Sequence, residues 1–501
     1  MKKTLKNTSD ALECGVALTL ASALQSAAHV AMLFLTLATA TSVEIEGLPQ
    51  PAGQRPAKLV APQEKTLANG LRVIVVERPG VPLLSAELIV RSGSETDPEK
   101  LAGLAKFTAS LLTQGTAKRT APQIASEVES LGASLGADAG WDSIHLALKT
   151  LSPNADAAFA ILADVARHPQ FAPAEIERHR RQALDDLRVE MEMPGQVARL
   201  VAARALLGPS PYAHPAEGTL ASLPRIKRAD IAALHGRAFV PGNAVLVLAG
   251  NVTAADGFTL AEKVFGDWPS AKTPAPFSAK TGAQKPRAIL VDLPHAGQAA
   301  VYVGAPGLGK TDAAFTLAEV TNAVLGTGYS SRLNQEIRLK RGLSYGATSR
   351  LIPSSEFGLF AASCQTKNES AAEVAGLIRA ELKRLSTEPI AADYFASRKA
   401  VLTGNFAREL ETNDGYVARV ADLALHGLPL DTLAKRIARI ESVSEEEVRA
   451  FAEKHLSPEA MTIVVVGRAK EVAKGLRAIF PKLEVIPQGE LNLDAAIGAK
   501  K

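Results

Sequence analysis

The run Gly304-Ala-Pro-Gly-Leu-Gly-Lys310-Thr311 fits the G-x-x-x-x-G-K-[ST] pattern of a phosphate-binding loop. It lies between an apolar strand-like run and a helical one, and a nucleotide hydrolase would cradle phosphates on its N–H groups. Three features weigh against that chemistry. Pro306 has no N–H to offer. The apolar run ending in Asp292, which would serve as the Mg²⁺-binding strand, comes before the loop. A matching strand–turn–helix junction earlier in the chain, Val90 to Asp97, carries no phosphate motif. Both junctions therefore read as turns before helices, with Asp97 and Asp312 as capping acids. The nine histidines are no better suited to a metal, because no two stand three or four residues apart. His179, four residues after Glu175, reads as half of a helix-surface ion pair. Cys14 and Cys364 are the only cysteines, which excludes a disulfide framework, a Cys-based zinc finger and an iron–sulfur cluster.

The elements that could position such residues come from a chain of 501 residues, enough for two to four domains at roughly 100–200 residues each. Apolar residues at 47% and charged residues at 22% are ordinary globular values, so wholesale disorder is excluded. A net charge of +4 gives no support to a nucleic-acid partner, and 5% aromatics leaves little for stacking bases. Lys2, Lys3 and Lys6 precede Gly15–Ala40, a stretch free of Asp, Glu, Lys and Arg that ends in Ala38-Thr39-Ala40. This reads as a signal peptide. An uncleaved anchor and a start at Met32 are the rival readings. Residues 41–64 are a Pro-rich, flexible lead-in.

The rest reads twice. Strand signals at 71–76 and 83–90 precede a helix at 101–112. Strand signals at 288–292 and 299–303 precede another from about 312 to 325. Glu175 and Asp393, near the starts of two long charged helices, are 218 positions apart. Gly250 and Gly467, each closing an apolar strand, are 217 apart. Strands come in adjacent pairs, which favours α+β with mainly antiparallel sheets backed by helices. The expected layout is 65–268 and 288–485 as two homologous halves facing each other as a half-shell. The Pro-rich stretch 269–287 links them, and 486–501 is a tail.

Gly103-Leu-Ala-Lys-Phe-Thr-Ala-Ser-Leu-Leu-Thr-Gln-Gly-Thr116 resembles the zinc helix of the insulinase/pitrilysin family of metallopeptidases, whose inverted motif is H-x-x-E-H. The frame is kept and the chemistry is not. Lys106 stands at the first His, Ala109 at the catalytic Glu and Ser110 at the second His. Asp185-Asp186 lies at about the distance of the family's third ligand. An ammonium repels a dication, and Ala109 can take no proton from a metal-bound water. A second run, Leu325 to Tyr345, resembles the signature of the family's C-terminal half. There an Arg and a Tyr seven residues apart hold substrate near the zinc of the opposite half, and Arg338 and Tyr345 fit that pair. Both donate hydrogen bonds suited to a peptide carbonyl or its oxyanion. The resemblance places Arg338 in a last helical turn closed by Gly342, and Tyr345 on the next strand. Gly132 to Gly140 resembles the strand along which the family adds a peptide.

The resemblance implies the non-zinc subunit of a heterodimeric peptidase, inactive alone. Its own metal is none. Zinc is expected in a paralogous partner with an intact H-x-x-E-H, and the substrate is a peptide. A silent binding or assembly protein of the same fold is the alternative, and a nucleotide hydrolase the more distant one. The expected location is the periplasm or outside the cell, with the N-terminal segment as an anchor if it is retained.

Overall fold

In the computed structural model, residues 59–275, 284–355, 357–495 and 497 are described. The first repeat runs β1 (Gln63–Thr66), β2 (Arg72–Glu77), β3 (Leu83–Val90), α1 (Leu104–Leu111), α2 (Ala121–Ser130), β4 (Ser134–Ala139), β5 (Ile144–Leu151), α3 (Ala155–Arg167), α4 (Pro173–Glu190), α5 (Pro194–Leu207), α6 (Arg228–Ala238), β6 (Ala244–Gly250) and α7 (Ala254–Phe265). The second runs β7 (Ala288–Asp292), β8 (Ala299–Leu308), α8 (Phe315–Leu325), a π-helix (Asn334–Leu339), β9 (Ala347–Pro353), β10 (Phe357–Thr366), α9 (Ala371–Thr387), α10 (Ala392–Glu409), α11 (Asn413–Leu425), α12 (Thr432–Ser442), α13 (Glu445–His455), β11 (Thr462–Gly467), α14 (Ala469–Ile479) and β12 (Glu484–Pro487).

Each repeat builds one six-stranded sheet, ordered β1-β2-β6-β3-β5-β4 and β12-β7-β11-β8-β10-β9. The two orders match from β2/β7 to β4/β9, so the homologous repeats expected from the sequence are present. Among the described residues the sheets are mainly antiparallel, as expected, with seven antiparallel strand pairs and three parallel ones. β2 pairs parallel with β6, β7 with β11, and β12 with β7. The parallel pairs arise because β6 and β11 return to their sheets after long helical crossovers, which allow a strand to arrive in the same direction as its neighbour.

Period-two alternation explains how these sheets are covered. Ala244, Leu246 and Leu248 of β6 pack with the helices of their own repeat. Val245, Val247 and Ala249 point the other way, onto Phe406, Val417, Val420 and Ala421 of α10 and α11, which belong to the second repeat. The second sheet reciprocates. Val464 and Val466 of β11, with Ile289 and Val291 of β7, meet Val197, Val201, Leu206 and other residues of α5 from the first repeat. Each sheet is thus buried on both faces, one of them by a helix lent from the other half. Polar contacts fasten the exchange. Ser85 Oγ donates to Asp414 Oδ1 at 2.6 Å, and Arg204 Nε donates to the Leu493 carbonyl at 2.8 Å. Leu59–Lys501 forms a single compact unit.

The expected periplasmic, secreted or anchored chain does not stand. Among the described residues no helix is long and apolar enough to cross a membrane. The apolar segment Gly15–Ala40 lies outside the described residues, as do 276–283 of the expected linker.

The exchange predicts how the chain responds to cutting and to cavity formation. Proteolytic nicking within 269–287 should leave both fragments co-eluting in gel filtration and separating only in denaturant. Leu206→Ala, in the lent helix α5, should cost about 2–5 kcal/mol in urea melts. Release of two free fragments by a nick alone would refute the first expectation.

Candidate functional site

Helix α1 holds the three positions of the lost zinc motif. Its first turn is fixed by Asp97, whose carboxylate accepts from the N–H groups of Gly103 at 2.8 Å and Ala105 at 2.9 Å. Asp312 accepts from Ala314 N–H at 2.8 Å just ahead of α8. Asp97 thus caps α1 as expected, whereas the Asp312 carboxylate binds only the residue ahead of α8 and caps no N–H of that helix. Gly103 has φ +91°, and a Cβ there would meet Gly218 Cα at 2.7 Å, so no larger residue fits.

The side chains on α1 are committed to other partners. Lys106 Nζ lies 3.3 Å from Asp138 Oδ1 on the edge strand β4. Ala109 is fully buried in the core. Ser110 Oγ donates to the Phe107 carbonyl at 2.8 Å. A cleft of about 220 Å³ beside them is lined by Lys106, Ser110, His179, Asp186, Glu190 and Glu217, among others. Of the two acids at the third-ligand distance, Asp186 faces this cleft and Asp185 is paired with Arg188. Burial, with Glu217 and Asp186 nearby, pushes the Glu190 carboxyl up, while Lys106 opposes the shift. The expected Glu175–His179 pair is not formed. Glu175 binds Arg178 at 2.8 Å, and the Arg178 guanidinium lies 2.9 Å from His179 Nε2. A closer cation displaced the imidazole, and burial with that neighbouring Arg178 lowers the His179 pKa.

These groups do not fit zinc. The cleft offers a cation where the family has an imidazole, and a hydroxyl already spent on its own helix. Among the described residues, no group of three or more His, Cys, Asp or Glu could hold a metal ion. Glu190 and Glu217 carry no motif of their own. Only the folded α4 and the loop around Glu217 bring them to the cleft.

The loop-like run 304–311 is a strand for most of its length. Gly304–Leu308 belongs to β8 and pairs antiparallel with Phe357–Ala361 of β10. Lys310 Nζ is 2.9 Å from Asp422 Oδ2. Backbone committed to a sheet ladder cannot wrap phosphates, so the nucleotide reading is removed.

Arg338 and Tyr345 are brought together. Arg338 lies in the π-helix Asn334–Leu339, closed by Gly342 at φ +63°. The Gly342 N–H donates to the Arg338 carbonyl at 3.0 Å. The Arg338 guanidinium lies 4.5 Å from the Tyr345 ring centroid and 4.7 Å from that of Tyr329. Tyr345 precedes β9 rather than lying on it, because Ser344 Oγ ties the turn by donating to the Gly346 carbonyl at 2.8 Å and the Gln365 carbonyl at 2.6 Å. That leaves the Tyr345 ring 89% exposed. Tyr329 escaped the sequence reading, since it lies in the turn ahead of the helical segment that carries Arg338, nine positions earlier, where no regular spacing pairs the two. The expected peptide-adding strand, Gly132–Gly140, contains β4, which is an edge of its sheet.

A second acidic cluster supports α1 from below. Glu95 is buried and accepts from Gly93 N–H at 2.8 Å. Burial, then the Asp142 charge, pushes its carboxyl up to about 8. Burial also raises Asp97, opposed by His214, and Asp142, opposed by the Tyr212 hydroxyl that donates to it at 2.6 Å.

Residues 72–211 match the family model described as insulinase (peptidase family M16), and residues 225–402 that of the peptidase M16 inactive domain. An uncharacterized zinc protease of Mycobacterium tuberculosis is 27% identical over 424 residues, covering 84% of this chain and 96% of that protein. A Helicobacter pylori protein named a non-peptidase homolog is 25% identical over 401 residues, covering 80% and 92%. The crystal structure of a peptidase M16 inactive domain from Pseudomonas fluorescens superposes with TM-score 0.76 at 28% identity, covering 81% and 98%.

Two measurements follow from this geometry. Elemental analysis of the purified chain should find no stoichiometric zinc, and one tightly held zinc per chain would refute that. Glu95 keeps its proton in the folded state up to about pH 8, whereas in the unfolded chain it loses it near its ordinary 4.5. Its contribution therefore falls as pH rises through this window, with a slope of up to about 1.4 kcal/mol per pH unit. Stability of Glu95→Gln should decline less steeply than wild type between pH 5 and 8. Burial shifts Asp97 and Asp142 in the same direction.

Proposed function

The chain belongs to the insulinase (peptidase M16) family as a member of the inactive kind, and we propose that it serves as the metal-free subunit of a two-chain peptidase. The observation that carries this reading is the unequal fate of the two halves. In the first, Lys106, Ala109 and Ser110 have left zinc chemistry and taken structural partners. In the second, Arg338 and Tyr345 still stand together at the surface, with no packing duty that explains the exposed Tyr345 ring.

In this role Arg338 and Tyr345 bind and orient a peptide on a partner subunit that carries the intact H-x-x-E-H helix and the zinc. Their N–H and O–H groups donate to the peptide carbonyl. If they meet the oxyanion as it develops, they act on kcat, and if they hold only the ground-state peptide, they act on KM. A silent binding or assembly protein is the second reading. The name of the Helicobacter pylori relative, a non-peptidase homolog, favours it.

The test is steady-state peptide cleavage by this chain reconstituted with a zinc-bearing paralogue from the same genome. Arg338→Ala and Tyr345→Phe should each lower kcat about 10²–10³-fold if the oxyanion is the target, the scale for one lost donor. Melting temperature should be nearly unchanged, because both side chains sit at the surface. Wild-type kinetics in both variants would refute the substrate role and leave the silent reading.

A further inference from the structure

We propose that Tyr329, Arg338 and Tyr345 form a carboxylate-binding clamp, so that the peptides this chain holds are acidic ones. The inference rests on the reading that the Arg338–Tyr345 pair faces the peptide. It adds a third residue and the chemical class of the group bound.

Both rings lie within cation–π range of one guanidinium, at 4.7 Å and 4.5 Å. Among the described residues, the Arg338 side chain has no hydrogen bond and no ion pair, and none of its nitrogens is a buried, unpartnered atom. Its donor edge is therefore open to water. Glu336 is the only acid between 329 and 350. It is already bound to Lys340 at 3.2 Å and Arg341 at 2.8 Å. The same 22 residues carry Arg332, Arg338, Lys340, Arg341 and Arg350. A guanidinium held by rings, without a counter-ion, in basic surroundings, is suited to an anion rather than to a neutral carbonyl alone. A carboxylate fits its fork with two parallel bonds, which a lysine ammonium cannot reproduce.

Tyr329 acts here as a positioning residue. Its ring, 59% exposed, fixes the plane of the guanidinium before any ligand arrives. The ring matters and the hydroxyl does not. The π-helix contributes by setting Arg338 out of ordinary helical register, an irregularity that recurs at functional sites.

The experiment titrates the full chain with four fluorescein-labelled nonapeptides of one Ala/Ser/Gly sequence. They carry a central Asp-Glu or Asn-Gln pair, each with a free or an amidated C-terminus, and anisotropy reports binding. At low salt at least one carboxylate-bearing peptide should bind about tenfold or more tightly than the Asn-Gln amide, as expected for a charge-assisted bond. A preference that follows the central pair identifies an acidic side chain, and one that follows the terminus identifies the terminal carboxylate. Arg338→Lys and Tyr329→Leu should abolish the preference, whereas Tyr329→Phe should keep it. A preference unaffected by Tyr329→Leu would overturn the assignment of Tyr329. If all four peptides bind equally and Arg338→Lys weakens all four, the carboxylate inference is overturned while the peptide contact stands. Equal binding that ignores Arg338→Lys overturns both readings, and failure of every peptide to bind overturns the clamp.

Discussion

The loan of one helix in each direction is the constraint on which the rest of the structure depends. A sheet whose strands are apolar on both faces cannot stop at one layer of helices, since its second face would meet water. Here α11 covers the first sheet and α5 covers the second. Neither repeat completes its own core, so the two are tied more strongly than by the segment that joins them. The position of every group on α1, on β4 and around the π-helix is inherited from this mutual burial.

Much of this was legible in the sequence, for identifiable reasons. The offset of 217 between Gly250 and Gly467 marks β6 and β11, which occupy matching places in the two sheets. Continuous apolar runs such as Ala244–Gly250 signal burial on both faces. The capping acid Asp97 was readable because a carboxylate just ahead of a helix has few other uses. The source of each cover was not readable. Nothing in the residues of α5 says that it will lie on the opposite sheet, because an apolar helix face carries no address. The direction of β6 and β11 was missed too, since strands adjacent in sequence point to antiparallel neighbours, whereas these two return from distant helices.

The site was legible in proportion to how local its geometry is. Lys106, Ala109 and Ser110 sit on one helix at the spacing of the motif, and their residue types alone disqualify zinc. Arg338 and Tyr345 could be paired through a family run. Tyr329 could not, because its approach depends on a turn wider than an α-helix and on loops at both ends. The run at 304–311 shows the opposite hazard, in which a motif matches letter by letter while its backbone is already spent in a ladder.

The full burial of Ala109 makes the loss of metal chemistry a ratchet. A single reversion to Glu at that position would force a larger side chain and a charge into a closed site, with no metal there to balance it. Such burial costs several kcal/mol, a large share of what a domain has in reserve. Restoring the ligands at Lys106 and Ser110 first confers no catalytic benefit, since the base would still be missing. A lineage that has settled on this arrangement is held to it by folding stability, whatever selection acts on its activity.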